Sequence, residues 1–136
     1  MAVFNKFNSF VEAVAEKLHD LGSDQLTIAL TNSAPVATNT QLSNITQISY
    51  TNLSTRNLTR TSSSQTGGLY TLVIADTTLT STGGSTGPFR YVVIYNETSV
   101  NDLLIGWYDY GTSLTLNSGE SLAVDFDQVN GLLTIQ

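Results

Sequence analysis

Residues 83–87 read Gly-Gly-Ser-Thr-Gly, the Gly-x-Ser-x-Gly spacing in which a serine can act as the nucleophile of a hydrolase. That chemistry requires a strand before the serine, a helix after it and a histidine that accepts the proton. Here Pro88 and an apolar, strand-like run follow, and His19 is the only histidine of the chain. We therefore predict that this segment is a loop between strands and not a nucleophile.

A second candidate for chemistry is acidic. Asp125, Asp127 and Asn130 precede Gly131 and look like a fragment of a calcium loop, but the spacing differs from that of an EF-hand and no closing glutamate follows. We predict instead a hairpin in which the two aspartates share the outer face and Asn130-Gly131 form the turn.

The remaining residue types include few side chains that could catalyse a reaction. The chain has no cysteine and one histidine, which argues against thiolate chemistry and against zinc or iron–sulfur sites. No pair of carboxylates can be singled out for glycosidase chemistry, because the other acidic residues fall mostly at predicted strand ends. We expect no enzyme activity, no catalytic residue, no cofactor and no metal.

The charge balance excludes one class of partner. Eleven acidic residues against five basic ones give a net charge of −6, whereas nucleic-acid binding needs a basic surface. Arg56 and Arg60 would share one face of a strand. They are predicted either to be solvated or to meet an acidic partner.

Aromatic side chains crowd into two neighbouring predicted strands: Phe89, Tyr91, Tyr95, Trp107, Tyr108 and Tyr110. Alternation places the first three on one face of their strand and sets Trp107 opposite the last two, so some of them should face outward. Three interpretations stay open: packing within a sheet sandwich, a protein–protein hot spot, or a platform on which sugars stack.

These residues must be positioned by the elements around them, and the first element is a helix. Apolar residues recur in steps of three and four at Phe4, Phe7, Val11, Val14, Leu18 and Leu21. This spacing predicts an amphipathic helix over residues 3–21 that ends at Gly22. The predicted organisation is an N-terminal helix (1–22) and a β-sandwich body (23–136) within a single domain. The apolar stripe packs either on that body or on a partner chain.

After the helix, polar and apolar residues alternate in short runs separated by Gly and Asn turns. Strands are predicted at 25–31, 45–50, 53–60, 69–76, 89–96, 103–108, 113–116, 121–126 and 132–135. The fold class that follows is mainly β: a jelly-roll-like antiparallel β-sandwich of about eight strands with one N-terminal amphipathic α-helix. The long loop 32–44, which contains Pro35, is predicted to be a surface arm that orders on a partner.

The N-terminal segment does not read as a signal peptide, because polar residues interrupt its apolar positions. No run approaches the roughly 20 apolar residues that span a bilayer. We expect no membrane partner and synthesis in a cytoplasm.

Several segments together resemble a known family. They are Leu-Gly-Ser-Asp at 21–24, the strand 26–30, Thr-Asn-Ser-Ala-Pro at 31–35, Gly-Pro-Phe-Arg-Tyr at 87–91, and Leu-Ile-Gly-Trp-Tyr-Asp-Tyr-Gly at 104–111. The chain resembles small virion proteins of tailed bacteriophages, and most closely the jelly-roll cement, or decoration, proteins of phage capsids.

This resemblance implies a structural protein that binds the outside of a phage capsid and cements neighbouring major capsid protein subunits. It implies a homodimer at two-fold positions, made in the bacterial host cytoplasm and located on the capsid surface of the virion. The alternatives are a tail or fibre component and a carbohydrate-binding β-sandwich module. From the residue pattern, we expect the partner interface to include Phe4, Phe7, Val11, Pro35, Tyr108 and Tyr110.

Overall fold

Nine strands and one α-helix make up most of the regular structure of residues 2–136, the part of the chain that the computed structural model describes. In chain order they are β1 (Phe4–Lys6), α1 (Ser9–Ala15), β2 (Leu26–Thr31), β3 (Arg60–Thr66), β4 (Leu69–Ile74), β5 (Thr77–Thr80), β6 (Thr86–Asn96), β7 (Leu103–Leu116), β8 (Ser121–Val124) and β9 (Leu133–Ile135). A single 3-10 turn, Leu42–Asn44, lies between β2 and β3.

The strands form three antiparallel sheets with the orders β1-β7-β6-β2, β3-β4-β9 and β5-β8. One main core takes buried side chains from all three sheets, for example Ile28, Leu72 and Leu79, and Phe10 of α1 joins it. The predicted mainly β fold with one α-helix is confirmed, and sheets that enclose a shared core are the arrangement of a β-sandwich.

The four-stranded sheet is buried on both faces at its centre. Every residue of β6 from Tyr91 to Asn96 is buried. Val92 and Ile94 enter the main core, whereas Val93 and Tyr95 enter a second apolar cluster. Because successive strand residues point to opposite faces, this second cluster covers the other side of the sheet. Its buried members are Phe7, Ala29, Ile45, Val93, Tyr95 and Leu104, with Leu42 and Trp107 packed against them.

The prediction of a helix over residues 3–21 is wrong at both ends. Phe4–Lys6 is a strand paired with β7, and Phe7 N donates to Ile105 O at 3.1 Å. The helix is only Ser9–Ala15, and Lys17 at φ 64° follows its C-cap Glu16. A helix this short is only marginally stable by itself. Pairing with β7 therefore decides the conformation of the residues before α1.

The apolar stripe also packs differently from the prediction. Phe10 and Ala13 are the buried side chains of α1, whereas Val11 is 54% exposed and Leu18 is 50% exposed. Phe4 of β1 packs on the main core, and Phe7, directly after β1, is buried in the second cluster on the opposite face, so their spacing of three matches that of a helix without a helix being present.

Two predicted strands, 45–50 and 53–60, are irregular except that Arg60 begins β3. This segment instead follows the open edge of β2. Ile48 N donates to Leu30 O, Ile28 N donates to Arg56 O, and Leu58 N donates to Leu26 O. The edge is thereby closed without a regular ladder.

Elsewhere, the predicted strands 103–108 and 113–116 form one long strand, β7. Strands β3 and β5 were not predicted from the sequence. Both are rich in Ser and Thr and mostly exposed or half-buried, so they lack the apolar alternation on which the prediction relied.

Phe7 and Val11 provide a direct test of this fold. Phe7→Ala should lower the free energy of unfolding by about 3–5 kcal/mol, because it empties the centre of the second cluster. Val11→Ala should change it by less than about 0.5 kcal/mol, because that side chain faces solvent. Chemical denaturation of the two variants measures the difference, and equal losses would contradict the strand assignment of residues 4–6.

Candidate functional site

Residues 83–85 of the Gly-x-Ser-x-Gly segment form a loop before β6, as predicted, and Thr86 and Gly87 begin that strand. The exposed Ser85 donates from Oγ to Asn117 Oδ1 at 3.3 Å, and Gly84 O accepts a bond from Ser81. His19 is bonded to Asn96 instead of Ser85. Within residues 2–136, Ser85 therefore has no hydrogen bond to a histidine that could accept its proton.

Asp125 and Asp127 belong to a turn that links two sheets. The predicted hairpin is wrong, because β8 pairs with β5 whereas β9 pairs with β4. Asp127 Oδ1 accepts the backbone N–H groups of Val129 and Asn130, and these bonds lower the pKa of Asp127. Across residues 2–136, no group of three or more His, Cys, Asp and Glu side chains is arranged to hold a metal ion.

The two arginines of the irregular segment bind the chain itself. The Arg56 guanidinium lies 3.7 Å from the centre of the Tyr50 ring and donates to Ile28 O. Arg60 donates to Leu21 O and Asp24 O, both at 2.8 Å. The prediction that this pair is solvated is therefore wrong: both side chains are half-buried, and their charges hold irregular backbone against the sheets. The alternative of an acidic partner stays a prediction.

The aromatic residues of β6 do not share one face. The register between β6 and β7 shifts between Phe89 and Tyr91, and this irregularity breaks the alternation. Phe89 enters the main core, whereas Tyr95 enters the second cluster. Trp107 also lies on the second cluster, with its ring centre 4.5 Å from that of Phe7.

Three residues expected at a partner interface pack into the interior of the protein. Phe7 is 0% exposed. Tyr108 is 5% exposed, with its ring centre 5.6 Å from that of Phe4, and burial raises the pKa of its hydroxyl. Phe4 is partly buried against the same core. Tyr108 therefore faces inward, in contrast to the outward position expected for it.

The other three expected interface residues lie on different elements. Tyr110 is half-buried against the main core, Pro35 is half-buried in the loop after β2, and Val11 is exposed on α1. Of the six, Val11 presents the most open apolar side chain.

The loop 32–44 does not extend as an arm in the folded chain. Asn8 N donates to Ala37 O at 2.9 Å, Leu104 N to Thr40 O at 3.0 Å, and Leu42 N to Asp102 O at 2.9 Å. The prediction of a segment that orders only on a partner is wrong, because this chain's own strand β7 and helix α1 provide the contacts that hold the loop.

The strongest candidate for an interaction site is a groove that the sequence analysis did not find. Two connected depressions of about 490 and 240 Å³ share Leu18 and Leu103 as lining residues. We call them together the helix-end groove. Its lining residues include Glu12, Ala13, Glu16, Lys17, Leu18, Asp20, Asp24, Thr40, Thr98, Val100 and Leu103. Leu18 is 50% exposed and Val100 is 81% exposed, so apolar surface meets solvent here.

The groove could not be predicted from the sequence, because the segments that form its two walls are distant in the chain. One wall is α1 and the residues after it, and the other is the turn between β6 and β7. The one usable sequence signal is Leu18, whose apolar side chain lies beyond the end of the true helix.

His19 is buried, and its neighbours in the chain, Leu18 and Asp20, line the groove. Its Nδ1 accepts from Asn96 Nδ2 at 3.0 Å, and that nitrogen also donates to Asp24 Oδ2 at 2.6 Å. An accepting Nδ1 places the ring proton on Nε2, which is buried without a hydrogen-bond partner among residues 2–136. Burial lowers the pKa of His19 below 6.5, and the nearby Asp24 carboxylate opposes part of that change.

A second groove of about 600 Å³ lies between β7 and β8, beside Ala2. Tyr110, Asp109 and Asp125 are among its lining residues. Asp109 is already paired with Arg90 at 2.7 Å, and this hydrogen-bonded pair lowers the pKa of the Asp109 carboxyl.

Comparison of the chain with protein-family models, with curated proteins and with solved structures finds no match. Within residues 2–136, no helix has the length and apolar character needed to cross a membrane.

The buried His19 predicts a pH dependence of stability. Its folded pKa is below the ordinary 6.5, so the unfolded chain takes up a proton first as the pH falls. The free energy of unfolding should therefore be highest above pH 6.5. It should decrease by up to about 1.4 kcal/mol per pH unit between that value and the lowered folded pKa.

Denaturation of the wild type and of His19→Gln between pH 7.5 and about pH 5 measures this effect. The wild type should lose more stability than the variant over that range. The range stays above the ordinary carboxyl pKa of 3.8, where Asp20, Asp109 and Asp127 would add their own losses. Parallel pH curves for the two proteins would contradict the buried neutral histidine.

Proposed function

We propose that this protein is a structural component of a bacteriophage virion that binds the outside of the capsid and cements neighbouring major capsid protein subunits. The observation that carries the proposal is the end of the molecule formed by α1 and the neighbouring turns. Three apolar side chains are exposed at this end, Leu18, Val36 and Val100, and Val11 is exposed on the face of α1 that does not line the groove. Apolar side chains gathered on one part of a surface favour contact with another protein.

These residues come from three separate parts of the chain that the fold draws together. The bond from Asn8 to Ala37 holds the loop that carries Val36 beside the start of α1. Leu18 and Val100 line the same depression. A contact surface built from held segments loses little conformational entropy on binding, which suits a protein that adds the same contact at many equivalent places.

The reactive side chains support a binding role in a different way. His19, Arg56, Arg60 and Asp127 each bond to this chain's own groups. They therefore contribute to the fold, and the resemblance to cement proteins gives the remaining surface its expected partner, the major capsid protein.

The homodimer that we propose at two-fold positions would use the free edge of β1. Because Phe7 is hydrogen-bonded to Ile105, the alternation of the ladder turns the backbone groups of Phe4 and Lys6 away from β7. A second copy of β1 could pair there about a two-fold axis.

The alternative of a carbohydrate-binding module has one specific observation in its favour, the groove between β7 and β8. Tyr110 offers a half-buried ring and Asp125 an exposed carboxylate beside it. The single tryptophan does not contribute its face, since Trp107 packs on Phe7. A tail or fibre component could also use the exposed apolar residues of the α1 end.

The test of the proposed function is co-sedimentation with capsid shells of the encoding phage from which this protein has been removed. Binding should saturate at a copy number fixed by the two-fold or local two-fold positions of the shell. Folded protein that stays in the supernatant at micromolar concentration would overturn the proposal. Binding to tails and not to shells would favour the tail component.

The dimer has a separate test in the edge of β1. Lys6→Pro removes an outward N–H without removing a bond to β7, so the variant should sediment as a monomer where the wild type sediments as a dimer. Lys6→Gln keeps the N–H and serves as the control that should remain dimeric. An unchanged dimer in Lys6→Pro, or a monomeric wild type, would exclude pairing through this edge.

A further inference from the structure

We infer that the helix-end groove receives a basic segment of the partner protein, with an apolar side chain seated on Leu18 and Leu103 and Lys or Arg side chains beside Glu12 and Glu16. The assignment of that partner as the major capsid protein rests on the proposed function. The chemistry of the occupant rests on the groove alone.

The floor of the groove is apolar and its rim is acidic. Leu18 and Leu103 line both depressions, and Ala13 adds to one of them. Four carboxylates line the groove against a single ammonium group, Lys17: Glu12, Glu16, Asp20 and Asp24. An apolar floor with an acidic rim is complementary to an apolar anchor flanked by basic side chains.

The four carboxylates are not equivalent. Asp20 Oδ1 accepts Gly22 N, and Asp24 Oδ2 accepts Asp20 N and Asn96 Nδ2. Glu12 and Glu16 have no hydrogen bond or ion pair to any side chain in the described part of the chain. These two are therefore the charges that remain for a partner.

Glu12 lies in the first turn of α1, where the helix dipole favours a negative charge, but nothing in the helix accounts for Glu16. The two glutamates stand four residues apart, where like charges repel. Glu16 is the C-cap, at the end of the helix where the backbone dipole disfavours a negative charge. Lys17 has a left-handed backbone at φ 64° without being glycine, and Leu18 is half exposed. Neighbouring residues whose charge, backbone conformation or exposure is locally unfavourable are typical of functional surfaces.

A second copy of this chain is a poor occupant. The chain has five basic residues, and three of them are engaged internally: Arg56 on Ile28 O, Arg60 on Leu21 O and Arg90 on Asp109. Lys6 and Lys17 remain, and Lys17 already lines the groove. The complementary charges must therefore come from a different protein.

The first experiment uses a probe that does not depend on capsids. A synthetic peptide of alternating leucine and lysine is titrated into the labelled protein while methyl NMR signals are recorded, with a leucine–glutamate peptide as the control. The signals of Leu18, Val100 and Leu103 should shift with the basic peptide only. Equal shifts with both peptides, shifts confined to other methyl groups, or no shifts would overturn the inference.

The second experiment uses the double variant Glu12→Gln/Glu16→Gln. It should bind both the basic peptide and the stripped shells about five- to tenfold more weakly at low salt, and its affinity should vary less with salt concentration. Thr112→Lys/Thr134→Lys makes the same change of two charges at exposed positions outside the groove, and it should bind like the wild type. The glutamine variant should unfold at the same or a higher denaturant concentration, because a like-charge pair is removed.

The two experiments separate this inference from the proposed function. If wild-type protein binds shells and the glutamine variant binds equally well, the groove assignment is wrong and the capsid role stands. If the basic peptide occupies the groove but shells do not bind, the capsid role is wrong and the groove belongs to another basic partner.

Discussion

Burial of both faces of β6 is the constraint on which the rest of this structure depends. Val92 and Ile94 fill the main core, while Val93 and Tyr95 on the opposite face are equally removed from solvent. A sandwich whose outer face meets water needs only one apolar face per strand, but this sheet needs a second cover. The chain supplies it without a further sheet, by placing Phe7 and the segment around Ile45 on the outer face. Each of these covering pieces is short, so its position must be fixed by specific polar contacts.

Polar contacts of this kind also hold the irregular segment along β2, and they involve the few charged groups and ring hydroxyls of the chain. Irregular backbone laid along a sheet leaves its N–H and C=O groups to be satisfied one by one. Tyr50 accepts the Leu30 N–H at its hydroxyl, and Arg56 stacks on the same ring while it donates to Ile28 O. Arg60 performs a similar function where the chain leaves α1 and enters β2, through Leu21 O and Asp24 O. These bonds close the edge of β2, whereas the cover of the outer face is held by other bonds, from Phe7 N to Ile105 O and from Leu42 N to Asp102 O.

The sequence predicted those features that depend on neighbours in the chain. The alternation at 26–30 predicted strand β2 correctly, and alternation of this kind along the chain predicted the overall β class. The features that failed depend on distant residues. Phe4 and Phe7 are three residues apart, which suits one face of a helix, but on a strand this odd separation puts them on opposite faces. That placement makes sense only once both faces are known to be covered. The irregularity that turns Phe89 away from the face of Tyr95 is likewise set by pairing across the sheet. The groove between Leu18 and Leu103 depends on two segments that are distant in the chain.

The same logic separates the residues that stabilise this molecule from those that remain for binding. Six aromatic and apolar residues were expected at a partner surface because large apolar side chains dominate protein interfaces. A sheet that is buried on both faces needs such side chains for its own packing, and Phe7 and Tyr108 are buried in this way. What the body leaves exposed is smaller and more polar: Val11, Leu18 and Val100, with Glu12 and Glu16 among them. In the capsid role that we propose, contact through such a surface would rely on charge complementarity and on many repeated copies more than on buried area at one site. Weak individual contacts at many equivalent positions would still stabilise a shell. Linked contacts raise the overall avidity even when the affinity of each one is low.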